Sequence, residues 1–202
     1  MKSSTDFVKY CFDKIGTPYV YGTKMQLLTN DLYEWLRKTY GSKVWASDRD
    51  KIGKVCTDCS GLISSFTGIT RNSAGYKAAA SQIFGIDSIQ LAPLGALVWN
   101  EGHIGVYVGN GEYIAADGSA VNTRKNRLPS TFTHWFLCPD LTYESESTTK
   151  HWAQPHFDAL VKAKILEGDA TSDIWKNFEM SLSSIKIGQF LALMNKLYQV
   201  SK

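Results

Sequence analysis

Asp58-Cys-Ser-Gly-Leu-Ile-Ser-Ser-Phe66 decides the fold class, because the apolar pattern of the chain changes around it. Leu62, Ile63 and Phe66 recur at the spacing that lines one face of a helix, and Asp58, just ahead, can accept hydrogen bonds from the first-turn N–H groups. The helix is therefore predicted to begin at Cys59. Downstream the apolar period falls from about 3.6 to about 2, and residues 96–99, 104–108, 112–117 and 135–138 read as short strands. Gly109-Asn-Gly111 is a hairpin turn whose Asn-Gly tolerates positive φ. Upstream, Phe7, Val8, Cys11, Phe12 and Ile15 line a helix over about 5–15, stopped by Gly16. Gly16-Thr-Pro-Tyr-Val-Tyr-Gly22 turns into a short extended piece. Leu27, Leu28, Leu32, Trp35 and Leu36 suggest one more helix, and residues 41–54 a charged loop. Helices followed by an antiparallel meander make an α+β domain.

The 202 residues, 44% hydrophobic and 20% charged, suffice for one core with a small appendage and exclude a disordered chain. A net charge of +3 is too small for a nucleic-acid-binding module, so no nucleic-acid partner is expected. No apolar run approaches the roughly 20 residues of a membrane span, so no membrane insertion is expected. Asp6, Lys9, Asp13 and Lys14 interrupt the start as no secretory leader would allow, so synthesis in the cytoplasm without a signal peptide is expected. Tyr143-Glu-Ser-Glu-Ser-Thr-Thr149 is polar and non-periodic, which divides the chain into a domain over 1–142, a linker over 143–149 and a helical segment over 150–202. That segment carries Trp152, Phe157, Leu160, Val161 and Ile165, then Ile187, Phe190, Leu191, Met194 and Leu197. Two such helices bury little alone and should dock or self-associate, which makes a homo-oligomer possible.

A thiol near a helix N-terminus and an imidazolium is depressed in pKa and becomes a nucleophile. Cys59 has the helix start. Of the four histidines, His103 opens a strand, with Ile104, Val106 and Val108 on one face and His103, Gly105 and Tyr107 on the other. Gly105 is small enough to leave room for a ligand there. His134, beside Trp135, is the next candidate base. Cys56 and Cys59 also form C-x-x-C, but no second Cys/His pair at ligand spacing lies nearby, so neither metal nor cofactor is expected. Cysteine and histidine in this order fit nucleophilic hydrolysis.

Gly16-Thr-Pro-Tyr-Val-Tyr-Gly22, Asp58-Cys-Ser-Gly-Leu-Ile63 and His103-Ile-Gly-Val-Tyr-Val-Gly-Asn-Gly111 together resemble three blocks of the NlpC-type cell-wall cysteine peptidases, over roughly residues 5–140. The resemblance implies a papain-like α+β fold and cleavage of peptidoglycan stem peptides, usually at the γ-D-glutamyl bond to the diamino acid. It implies Cys59 as nucleophile, with its backbone N–H as oxyanion donor, and His103 as base and later acid. Tyr19, Asp58 and Ser60 are then expected at the substrate. The family's third polar residue usually sits twelve positions after the histidine, where this chain has Ala115, and the preceding strand reads Gly95-Ala96 in place of Gly-Asp. Counting back through the 110–111 turn brings Asp117 near residue 103 or 104, which makes it the expected third residue. Two other readings stay open: an N-acetylmuramoyl-L-alanine amidase using the same pair, and a non-catalytic wall-binding protein.

Residues 150–202 resemble one degenerate S-layer-homology repeat, through His151-Trp-Ala, Phe157, Ala159-Leu160, Lys164-Ile-Leu-Glu-Gly168 and Phe190-Leu-Ala-Leu-Met194. This implies binding of a secondary cell-wall polymer. Catalytic module and wall-binding appendage together resemble a bacteriophage endolysin, with holin-type release to the wall.

Overall fold

The chain begins with a two-residue strand, β1 (Lys2–Ser3), and turns at once into helix α1 (Ser4–Asp13). The Ser3 hydroxyl starts the helix by accepting the Asp6 N–H at 3.0 Å. Phe7 and Cys11, one turn apart, form its buried face. The computed structural model describes residues 2–143, within a compact unit running from Met1 to Glu144. The helical segment expected over 150–202, with its resemblance and its self-association, lies outside the described residues. Tyr143, placed in the linker by its sequence, belongs to the domain: its hydroxyl accepts the Cys138 N–H at 2.8 Å and donates to the Gly95 carbonyl at 2.9 Å.

After α1 come strand β2 (Lys24–Leu27), helix α2 (Asn30–Tyr40), 3₁₀ turns at Gly41–Lys43 and Ala46–Lys51, and strand β3 (Val55–Thr57). The single helix expected from Leu27 to Leu36 is thus a strand and a shorter helix. Thr29 separates them, because its hydroxyl accepts the Leu32 N–H and caps α2. Leu27 pairs with Val55 and is exposed, as is Trp35, while Leu28, Tyr33 and Leu36 are buried with Val20, Val44 and Cys56. The expected charged loop over 41–54 is a fastening. Asp48 is fully buried, and its carboxylate accepts from the Trp45 N–H (2.9 Å), Lys51 Nζ (2.8 Å) and the Ser119 hydroxyl (3.0 Å). Lys51 also donates to the carbonyls of Tyr19 (2.7 Å) and Ser119 (2.9 Å).

Helices α3 (Cys59–Thr67) and α4 (Ser73–Ala79) follow, then β4 (Phe84–Gly85), a 3₁₀ turn at Ile86–Leu91, and β5 (Leu97–Asn100), β6 (His103–Gly109), β7 (Glu112–Ala116), β8 (Thr123–Arg127), β9 (His134–Phe136) and β10 (Leu141–Thr142). Six of them form one antiparallel sheet in the order β4-β9-β5-β6-β7-β8. Asn110 and Gly111, with φ of 52° and 70°, make the expected tight turn between β6 and β7. One sheet face, with Leu97, Ile104, Val106, Ile114 and Phe136, packs against Phe7 of α1 and Leu62 and Ile63 of α3. The other carries Val98, Tyr107, Tyr113, Ala115 and Trp135 over Phe132. The fold is α+β, as the change of period predicts. Among the described residues no helix is long and apolar enough to cross a membrane.

Candidate active site

Three elements, α3, β6 and β7, bring the candidate residues together, and each does so for a local reason. The chain enters α3 from β3 with Asp58 as N-cap: Oδ1 accepts the Gly61 N–H at 2.6 Å and the Ser60 hydroxyl at 3.1 Å, and Oδ2 accepts the Gly22 N–H at 2.9 Å. Cys59 is therefore the first helical residue, as expected. A Cβ on Gly61 would lie 2.1 Å from the Thr23 carbonyl oxygen, so only glycine lets the segment after Gly22 pass this close to the helix. Stretch 16–22 is held on both sides, by Gly16 and Thr17 on Thr123 and by Val20 on Thr57.

His103 opens β6 at the mouth of the β5–β6 hairpin, paired with Asn100. Its imidazole stacks on Phe132 at 5.8 Å between centroids and lies near enough to Cys59 to feel its charge. Its Nε2 lies 3.1 Å from Asp117 Oδ1, which leaves Nδ1 for the sulfur. Burial works against the imidazolium, but the hydrogen bond to Asp117 and the negative charges of Cys59 and Asp117 nearby prevail and raise the pKa from 6.5 to about 9.

Asp117 reaches His103 through strand register. Val106 pairs with Ile114 and Tyr107 with Tyr113, so partner numbers sum to 220, and the same register carried on sets 117 opposite 103. Ala115 would fall opposite Gly105. The Asp117 carboxylate is 6% exposed, and its Oδ2 accepts from the Tyr113 hydroxyl at 3.0 Å and Arg124 Nε at 2.8 Å. Burial alone would raise its pKa, but the bonds from His103, Arg124 and Tyr113 hold it below the ordinary value. Sequence reasoning missed both supports. Tyr113 was legible, since it shares a strand face with Asp117. Arg124 was not, because β8 reads Thr-Arg-Lys-Asn-Arg with no alternation.

Cys59, 8% exposed, opens onto a cleft of about 280 Å³ bordered by Tyr21, Lys24, Tyr40, Arg71 and Gly102. Asp58 and Ser60 border it too, but the Asp58 oxygens are occupied by capping, with burial raising its pKa against those bonds. Tyr19 is half-buried. Its phenol ionisation is suppressed by burial and by the nearby charges of Cys59 and Asp58, and its N–H donates to Asn122 Oδ1 at 3.1 Å. The room expected beside Gly105 is filled: a Cβ there would lie 2.7 Å from the Tyr113 ring. Cys56 sits in a different core cluster from Cys59 and points its thiol at the Lys54 carbonyl, so the two do not act as a dithiol pair here. His134 bonds Thr133 and packs edge-on to Trp99.

No family model matches the chain, and no curated protein matches it. Among solved structures it is similar to the P60 domain of an antigen from M. avium subspecies paratuberculosis, at 22% identity over 69% of this chain and 98% of that one, with a TM-score of 0.46. It is similar to the peptidoglycan hydrolase RipB from Mycobacterium tuberculosis, at 24% identity over 66% of this chain and 65% of that one, TM-score 0.44. It is also similar to RipD from Mycobacterium tuberculosis, a non-catalytic NlpC/p60 domain protein adapted to peptidoglycan binding, at 18% identity over 67% and 98%, TM-score 0.45.

Proposed function

We propose that the chain is a thiol hydrolase of peptidoglycan that cuts stem-peptide amides at the γ-D-glutamyl bond to the diamino acid. The observation that carries this reading is the convergence of thiol, imidazole and carboxylate: Cys59 at a helix N-terminus, His103 near enough to feel its charge, and Asp117 hydrogen-bonded to that histidine. The substrate class rests on the three sequence blocks.

In the proposed reaction the Cys59 thiolate attacks the amide carbon, and the oxyanion is met by the Cys59 N–H at the start of α3. His103, protonated, gives its proton to the departing amine as the C–N bond breaks, leaving a thioester on Cys59 and a neutral imidazole. A water then attacks the thioester, His103 takes the water's proton, and the carboxylic product leaves with the thiolate restored. Asp117 keeps the imidazole in one orientation and steadies its charge. The muramoyl-alanine amidase would use the same residues on a different bond. A purely wall-binding protein would have no use for a buried carboxylate that holds an imidazole near a thiol at a helix start.

Digestion of purified walls followed by mass spectrometry of released fragments is the test. New amino groups on the diamino acid are expected, and none with Cys59→Ala. New amino groups on alanine would mean the amidase, and no release would mean binding alone. We propose in addition that residues 150–202 tether the enzyme to a secondary cell-wall polymer and that the protein is endolysin-like, made in the cytoplasm and released by a holin. Removing residues 144–202 should then slow lysis of whole walls more than cleavage of soluble muropeptides.

A further inference from the structure

Among the described residues three that are not glycine have positive φ: Asn110 and Asn122, which sit in turns, and Met25, at 57°, inside strand β2. That region is strained for an unbranched apolar side chain, and residues held in it cluster at active sites and ligand clamps. The ladder slips at Met25. Lys24 pairs with Thr57, whereas Gln26 pairs with Cys56, one position out of step. A bulge of this kind re-aims the neighbouring side chain, and here the neighbour is Lys24, which lines the cleft onto which Cys59 opens. The bulge is closed by the Gln26 side chain, whose Oε1 accepts the Lys24 N–H at 3.1 Å. The ammonium itself lies 3.5 Å from the Gly22 carbonyl, a weak contact.

Other charges around this cleft are already engaged. Arg71 is ion-paired with Asp140, and the Asp58 oxygens hold two backbone amides and a hydroxyl. Among the described residues no carboxylate lies within ion-pairing distance of Lys24, and Asp58, the cleft carboxylate that feels its charge, is committed to its caps. We propose that Lys24 is a specificity-determining residue that binds a free carboxylate on the substrate beside the scissile amide.

The proposal deepens the hydrolase reading and rests on it. A γ-glutamyl amide uses its side-chain carbonyl as the acyl group, so its α-carboxyl is left over, close to the reacting carbon. That group is an anion when free and neutral when carried as a carboxamide. A lysine is a compact point charge on a flexible stem, and it would favour the first over the second.

The test uses the full chain and two synthetic muropeptides that differ only at this α-carboxyl, one free and one amidated. Wild type should favour the free acid in kcat/KM by about tenfold or more, and added salt should narrow the ratio. Lys24→Met should bring the ratio to about one, Lys24→Glu should invert it, and Lys24→Arg should keep most of it. A wild-type ratio near one, or a ratio unchanged in Lys24→Met, overturns the proposal while leaving the hydrolase standing. If the wild-type chain cuts neither peptide at this bond, the hydrolase reading itself has failed.

Discussion

Asp117 is held from three sides, by His103, Tyr113 and Arg124, and this sets what its loss should do. Removing the carboxylate leaves the thiol and imidazole in place, so Asp117→Ala should lower turnover by about 10- to 1,000-fold, less than loss of either partner. Asp117→Asn, which still accepts through its amide oxygen, should retain more. The pH dependence follows from His103, whose pKa stands near 9 in the folded chain. Because that lies above the ordinary 6.5, the pairing contributes stability that is fully present below about 6.5 and is lost as pH rises through about 9. The alkaline limb of kcat/KM should fall in the same region, where the leaving amine loses its proton donor. Asp117→Asn should move this limb to lower pH, since a neutral amide no longer supports the imidazolium. An unmoved limb in a pH–rate profile would separate Asp117 from the titrating group.

Helix α3 meets Thr23, the residue just before β2, so closely at Gly61 that there is no room for one methyl group. Gly61→Ala would press on the Thr23 carbonyl, a backbone atom that cannot swing aside. It should cost about 1–3 kcal/mol in urea unfolding, as overpacked sites do, and should lower kcat/KM beyond that because Lys24 is the next residue. The α3 start was legible in Asp58, Leu62, Ile63 and Phe66, since cap and apolar face are both local signals. The β6–β7 hairpin was legible in Asn110-Gly111 and the alternation of 104–108, and with it the approach of Asp117 to His103. What escaped had no local signature. α4 reads Ser-Ala-Gly-Tyr-Lys-Ala-Ala, with Tyr76 its one buried side chain. β8 is an edge strand of mostly exposed polar residues that exists because β7 offers it hydrogen bonds. The Leu27–Leu36 error has the opposite cause, a helical spacing that arose by chance across a strand, a cap and a helix.

Over the whole domain, three apolar clusters supply the bulk of the burial, and Asp48, fully buried, is a charge committed to the interior away from the site. Lys51→Met keeps much of the lysine's length but leaves that carboxylate with neutral partners only. The loss should be about 3–5 kcal/mol, as for other broken buried pairs, read as a lowered midpoint in chemical denaturation. Asp48→Asn paired with Lys51→Met should recover part of it, because the uncompensated charge is gone. The same fastening bears on how such an enzyme can be rebuilt. Lys51 and Asp48 bind Tyr19 on one side and Ser119 on the other, so residues 24–54 and 117–122 are one module written in two places in the gene. A designer who grafts a foreign segment between Gly22 and Asp58 to change substrate choice must graft the 117–122 loop with it, or the new enzyme inherits a severed joint next to its own Asp117.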